Sequence, residues 1–169
     1  MQKTRILSTI AALSAACFLA PVAQAADVTW DFGSNNNNWG NATNWNPDSI
    51  PGSGDTAVFA DNAGNTAIWV NFTSGLSNRT VGSVAMTGGS NRFLQSRNYS
   101  GTLTLNGVNG NLISQSGTSQ LSFINGSGGT TLTLQLGNSG SVDITSSANV
   151  YIGVDIIENT SGRSLTKTG

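Results

Sequence analysis

Leu132-Thr133-Leu134-Gln135-Leu136 is the stretch that decides the fold. Leucine alternates with a hydroxyl or amide residue, so the leucines share one face of an extended chain and Thr133 and Gln135 share the other. Alternation with a period of two marks a strand with one buried face and one polar face. The same grammar runs outward in both directions. Upstream stand Gly101-Thr102-Leu103-Thr104-Leu105, the pair Leu121 and Phe123 around Ser122, Val84 with Met86, and Ile68, Val70 and Phe72. Downstream, Val142 and Ile144 flank Asp143, and Val150, Ile152, Val154 and Ile156 continue the pattern. β-branched and Thr-rich segments favour a pleated surface. Between the strands lie Asn106-Gly107, Asn109-Gly110, Asn125-Gly126 and Gly137-Asn138, all strong turn signals. Helical periodicity is missing beyond the first residues, so the fold class is all-β.

Strand centres recur roughly every ten residues, a spacing that suits an antiparallel β-sandwich or barrel. Two such strands per turn would also give about twenty residues per coil of a parallel β-helix. Variable turn lengths, Thr/Ser ladders on the polar faces and the lack of an aromatic centre after residue 72 favour the parallel β-helix, or solenoid. The antiparallel β-sandwich is the alternative.

The first residues read as an export signal. Lys3 and Arg5 precede an apolar run from Ile6 to Ala20, and Ala23 and Ala25 supply the small residues of a cleavage site. The run is short for a membrane span, which needs about 20 apolar residues. Residues 1–25 are therefore expected to be a cleavable signal peptide, with no membrane insertion of the mature chain. Cys17 is the single cysteine, and Leu13 stands one place too far upstream of it for a lipid-modification box. Cleavage after Ala25 leaves no thiol and no disulfide.

Charge is sparse in the mature chain. Arg79, Arg92, Arg97, Arg163 and Lys167 stand against eight acids. That balance gives no basic patch and argues against nucleic acid as a partner. Histidine is absent from the sequence, which removes Ser-His-Asp and Cys-His catalysis and the usual zinc sites. A glycosidase needs two carboxylates about 5–10 Å apart, and the candidates are Asp143 with Asp155, or Asp155 with Glu158. Asp143 alternates with Val142 and Ile144 as any outward residue does. No catalytic residue is assigned, and the chain is not expected to be an enzyme. Asp31-Phe32-Gly33-Ser34-Asn35 and Asp61-Asn62-Ala63-Gly64-Asn65 are oxygen-rich, yet both lack the alternating acids and closing glutamate of a calcium loop. Asx-turns account for them, so neither a metal nor another cofactor is expected.

Residues 26–60 differ in composition from the remainder of the mature chain. They hold Trp30, Trp39 and Trp45, the run Asn35 to Asn38, and Pro47 and Pro51. The mixture reads as a looped cap in which indoles cover the apolar end of a solenoid and asparagines satisfy irregular backbone. A second reading makes Trp30, Trp39, Trp45, Asn37 and Asn38 a ligand-binding platform, with indoles stacking on sugar rings and amides bonding hydroxyls. Trp69 stands between Ile68 and Val70 and faces the opposite side of its strand.

Thr29-Trp30-Asp31, Asn38-Trp39-Gly40, Asn44-Trp45-Asn46 and Ile50-Pro51-Gly52-Ser53-Gly54-Asp55-Thr56-Ala57-Val58-Phe59 come in an order that resembles the start of autotransporter-associated β-strand repeat proteins. Thr80-Val81-Gly82-Ser83-Val84 resembles their first coil, and Ser164-Leu165-Thr166-Lys167-Thr168-Gly169 the opening of the repeat. The resemblance implies a right-handed parallel β-helix and a passenger or scaffold role in a bacterial surface protein. It implies no catalytic residues. The expected organisation is a signal peptide at 1–25, a cap at 26–60, a β-helical domain at 61–163 and the start of a truncated repeat at 164–169. The expected function is that of a secreted or cell-surface structural segment serving adhesion, display or matrix formation. Surface polysaccharide and further copies of the chain are the expected partners, the latter because an uncapped last coil leaves an open edge. A carbohydrate-binding module and a polysaccharide-degrading enzyme are the alternatives.

Overall fold

The computed structural model describes residues 25–60, 67–71, 78–145 and 148–169. The expected signal peptide up to residue 24, the second oxygen-rich loop at 61–65 and Phe72 lie outside the described residues.

Two strands, β1 (Asp27–Trp30) and β2 (Trp45–Asn46), belong to the N-terminal cap. Every later strand enters a three-sheet cycle. The first coil holds β3 (Thr56–Phe59), β4 (Ala67–Asn71) and β5 (Arg79–Val81). The second holds β6 (Ser83–Met86), β7 (Arg92–Ser96) and β8 (Gly101–Leu105). The third holds β9 (Asn111–Gln115), β10 (Leu121–Ile124) and β11 (Leu132–Leu136). The fourth holds β12 (Gly140–Ile144), β13 (Val150–Gly153) and β14 (Asp155–Glu158), and β15 (Leu165–Thr168) lies on β12 as a further rung. Sheet I runs β2-β1-β3-β6-β9-β12-β15, sheet II β4-β7-β10-β13 and sheet III β5-β8-β11-β14. Pairings between these strands are parallel except that of β1 with β2. The fold is a parallel β-helix of four coils.

A coil contains three strands, one more than the ten-residue strand spacing suggested. Hydrogen bonds between coils join residues 25 apart in the pair Ser164 and Ser139 and 31 apart in the pair Thr104 and Gln135. Two rungs escape the alternation pattern because polar groups sit on their lumen side. β7 turns Arg92, Leu94 and Ser96 inward, and β9 buries Leu112, Ile113 and Gln115 together. Each inward polar group has a partner. Arg92 donates to the carbonyls of Ala60 at 3.1 Å and Asn91 at 3.4 Å. Ser96 Oγ donates to Thr130 Oγ1 at 3.1 Å and accepts the Gly126 N–H at 2.9 Å. The Gln115 amide donates to the Ser119 carbonyl and accepts the Gly117 N–H. Bonds of this kind offset the cost of burying polar groups.

The lumen is otherwise largely apolar, with side chains stacked in rows along each sheet. Val28, Ala57, Val84, Ile113 and Val142 form one row along sheet I. Ile68, Leu94, Phe123 and Ile152 form the row of sheet II. On sheet III, Leu103 and Leu134 lead to Ile156, and Val81, Leu105 and Leu136 lead to Glu158. Burial falls off at the last coil: Leu134 is fully buried whereas Ile156, in the same row, is 44 % exposed. Outer faces carry hydroxyl and amide contacts between coils, such as Ser83 Oγ to Thr56 Oγ1 at 3.0 Å and Ser141 Oγ to Asn111 Oδ1 at 2.7 Å.

At one corner two coils meet backbone to backbone. A Cβ on Gly117 would lie 2.0 Å from the carbonyl oxygen of Gly88, and no side chain there could move aside. Gly117→Ala is expected to cost about 1–3 kcal/mol through forced backbone displacement, read as a lower denaturant midpoint with an unchanged slope.

Candidate functional site

The cap is built by continuing the rungs past the first coil. β1 lies parallel to β3, which sets Val28 under Ala57 and leaves Trp30 pointing into the lumen. β2 runs antiparallel along β1 and places Trp45 beside Trp30. Sheet II is extended likewise: the Trp39 N–H donates to the Trp69 carbonyl at 3.1 Å, and the Trp69 N–H donates to the Asn37 carbonyl at 2.7 Å. The cap thereby gives hydrogen-bonding partners to the first strands of two sheets, whose edges would otherwise be open templates for pairing.

Four rings fill the space beneath. Trp30 meets Trp45 edge to face at 5.0 Å between centroids, Trp39 meets Trp45 at 4.8 Å, and Phe59 lies about 6 Å from all three indoles. Offset and edge-to-face contacts of this kind add to simple area burial. The Trp45 Nε1–H donates to the Trp39 carbonyl at 2.8 Å.

The loop over the rings is organised by one buried amide. Asn44 Oδ1 accepts from the Ser34 N–H and hydroxyl, while its Nδ2 donates to Asn36 Oδ1 at 3.0 Å and to the Asn38 carbonyl at 2.9 Å. Asp31 closes an Asx-turn by accepting the Gly33 N–H at 2.9 Å. Phe32 and Asn35 adopt positive φ, 62° and 54°. Arg79, in the row of Leu103, is tucked under the cap: its Nε donates to the Val70 carbonyl at 3.4 Å, and a Cβ on Gly40 would lie 2.2 Å from its Nη2. Burial lowers the pKa of this guanidinium.

These positions decide between the two readings of the tryptophans. Trp30, Trp39 and Trp45 are 0 %, 1 % and 0 % exposed, so none offers an open face to a sugar ring. Asn37 is buried, and its carbonyl is engaged by Trp69. Asn38 Oδ1 accepts the Gly40 N–H at 2.9 Å. The three indoles read as a ligand platform instead plug the end of the lumen, and Asn37 and Asn38 lie along the edge of sheet II. Burial of three large indoles is favoured over their exposure by the apolar area each removes from water.

The candidate carboxylates are not brought together. Asp143 and Asp155 belong to different sheets, I and III, and lie beside inward Val142 and outward Thr133 respectively. Asp155 and Glu158 are three apart on one strand and so point to opposite sides of it. Asp143 Oδ1 accepts from the Thr168 hydroxyl at 3.3 Å. Among the described residues, three or more His, Cys, Asp or Glu side chains nowhere gather as a metal site would require.

Two surface features have no counterpart in the sequence pattern. A groove of ≈ 280 Å³ runs along the outside of sheet I, lined by Thr56, Val58, Ser83, Ala85 and Asn109 among others. Its wall is the turn after β8, where Gly107, Asn109 and Gly110 all have positive φ. The second feature is the outer face of sheet II, where the Arg97 guanidinium carbon sits 4.9 Å from the centroid of the half-buried Trp69 ring. Trp69 and Arg97 are distant in sequence and meet only because the rungs stack.

The fold and the sealed end define a capped parallel β-helix. No protein-family model, curated protein or solved structure matches the chain. Because Trp39 and Trp45 fill the end of the lumen, Trp39→Ala or Trp45→Ala is expected to lower unfolding free energy by ~3–5 kcal/mol. Chemical denaturation monitored by far-UV circular dichroism measures it, and a loss below about 1 kcal/mol would contradict the plug.

Proposed function

We propose that this chain is the capped N-terminal part of a secreted or cell-surface structural protein, a passenger whose work in adhesion, display or matrix formation is mechanical. The observation that carries this reading is the asymmetry of the rod. Three indoles and Phe59 close one end, and from that closure rungs of matched aliphatic rows lead in a single direction. A solenoid built this way joins its coils through ladders of hydrogen bonds and presents extended faces. The resemblance of residues 29–59 to the start of autotransporter-associated β-strand repeat proteins supports the same role. The basic and apolar leader ending in Ala23-Gln24-Ala25 supports a route out of the cytoplasm.

The alternatives lose support from the same geometry. A carbohydrate module using the N-terminal tryptophans needs open indole faces, and those faces are packed against each other. A polysaccharide-degrading enzyme needs two convergent acids, and the candidate pairs diverge. Polysaccharide and other copies of the chain remain the partners suited to walls made of hydroxyls, amides and few charges.

Expressed from Met1 in a bacterial host, the protein is expected outside the cytoplasm with Ala26 as its first residue. Cell fractionation and N-terminal sequencing provide the check. Retention in the cytoplasm with residues 1–25 still attached overturns the reading.

A further inference from the structure

We infer that the outer face of sheet II binds an acidic polysaccharide, with a sugar carboxylate held by Arg97 and a sugar ring stacked on Tyr151. The register brings the pieces into one column. Trp69 pairs with Gln95, Gln95 with Ile124, and Ile124 with Gly153, each on the next coil. Tyr151 enters the same column through its ring: a Cβ on Gly153 would lie 2.5 Å from the Tyr151 Cε1 atom and 2.9 Å from its hydroxyl oxygen. The ring therefore occupies the place that a side chain at 153 would take. Tyr151 is 53 % exposed, so its aromatic surface is available to solvent. Adjacent parallel rungs are about 4.8 Å apart, which puts the Trp69 and Tyr151 rungs roughly 14 Å apart, the reach of a few sugar units.

The chemistry at the two ends differs. At the Trp69 end the Arg97 guanidinium carbon lies over the indole, 4.9 Å from its centroid, and a cation held over an aromatic face keeps N–H donors to offer outward. One of them reaches Ser127 Oγ at 3.4 Å. The remaining edge is a fork that matches a carboxylate. At the other end the Tyr151 ring gives an apolar platform with a hydroxyl at its rim. Gln95, half-buried between them, offers an amide to ring hydroxyls.

Charge selects the occupant. Strands β4, β7, β10 and β13 contain no carboxylate. Carboxylates in the other sheets stand at Asp27 and Asp143 on sheet I and at Asp155 and Glu158 on sheet III. An anionic chain thus meets an attractive group and the least repulsion along this one face. Single-stranded nucleic acid could also stack on aromatics, but its affinity rests on several phosphate contacts, and among the described residues this column holds a single outward cation.

Affinity electrophoresis through gels containing polygalacturonate, neutral dextran or no polymer tests the assignment, with a poly-thymidine oligonucleotide as competitor. Retardation by polygalacturonate alone is expected, weakened by salt and unaffected by the oligonucleotide. Arg97→Gln and Tyr151→Ala, both on exposed side chains, are each expected to weaken binding about tenfold with an unchanged circular dichroism spectrum. Arg97→Lys, which keeps the charge and gives up the fork, should fall between. Thr133→Ala on sheet III should bind as the unaltered protein does. The assignment is overturned if polygalacturonate causes no retardation, if dextran retards equally, if the oligonucleotide displaces the glycan, or if Arg97→Gln and Tyr151→Ala both bind normally.

Discussion

No coil of this protein can stand by itself. Each interior strand bonds to the strand one coil before and the strand one coil after, so a rung acquires its hydrogen bonds from its neighbours. That dependence dictates the side chains. Parallel strands in register put residue over residue, and a lumen position must suit the one above and the one below. Hence the rows of Val28, Ala57, Val84, Ile113 and Val142, and of Ile68, Leu94, Phe123 and Ile152. A polar residue in such a row needs its own partners, and Arg92, Ser96 and Gln115 find them in backbone carbonyls, a hydroxyl and a turn N–H.

The same dependence makes the first rung the vulnerable one, because among the described residues no full coil precedes it. The cap answers this with two devices that act on different groups. Backbone from β1 and from residues 37–39 satisfies the edges of sheets I and II, while Trp30, Trp39, Trp45 and Phe59 replace the aliphatic layer that a preceding coil would supply. Asn44 holds the irregular loop in place from within, bonding Ser34, Asn36 and Asn38 at once. The asparagine-rich composition of this stretch is thus the counterpart of its irregular backbone, and the tryptophans are the counterpart of its apolar underside.

Much of this was legible in the residues. The all-β class, the choice of a parallel β-helix and the outward side of Trp69 all follow from alternation and turn dipeptides. The number of strands per coil did not. β7, with Arg92 and Ser96 facing inward, and β9, with Leu112 and Ile113 buried side by side, break the period-two signal, so two rungs were silent and the coil seemed shorter than it is. The platform reading of Trp30, Trp39 and Trp45 failed for a related reason. Indoles rich in neighbouring asparagine suit a sugar site and a buried plug equally, and only ring-to-ring packing distinguishes them. The Trp69 and Arg97 contact was beyond reach, since it depends on a coil length that the pattern had misjudged.

Coil lengths differ while the rungs stay aligned, and the corner after β10 shows how. Gly126 and Thr130 close the neck of a small loop, the Gly126 N–H donating to the Thr130 carbonyl at 3.1 Å. At its tip, Gly128 and Gly129 have no neighbour within 4 Å of a would-be side chain. Extra residues placed there would lengthen a loop whose two ends are already pinned, and each doubling of loop length adds only about 0.6 kcal/mol of closure entropy. Such a corner is a natural port for grafted peptides: evolution or an engineer could change what the rod carries without disturbing the rod.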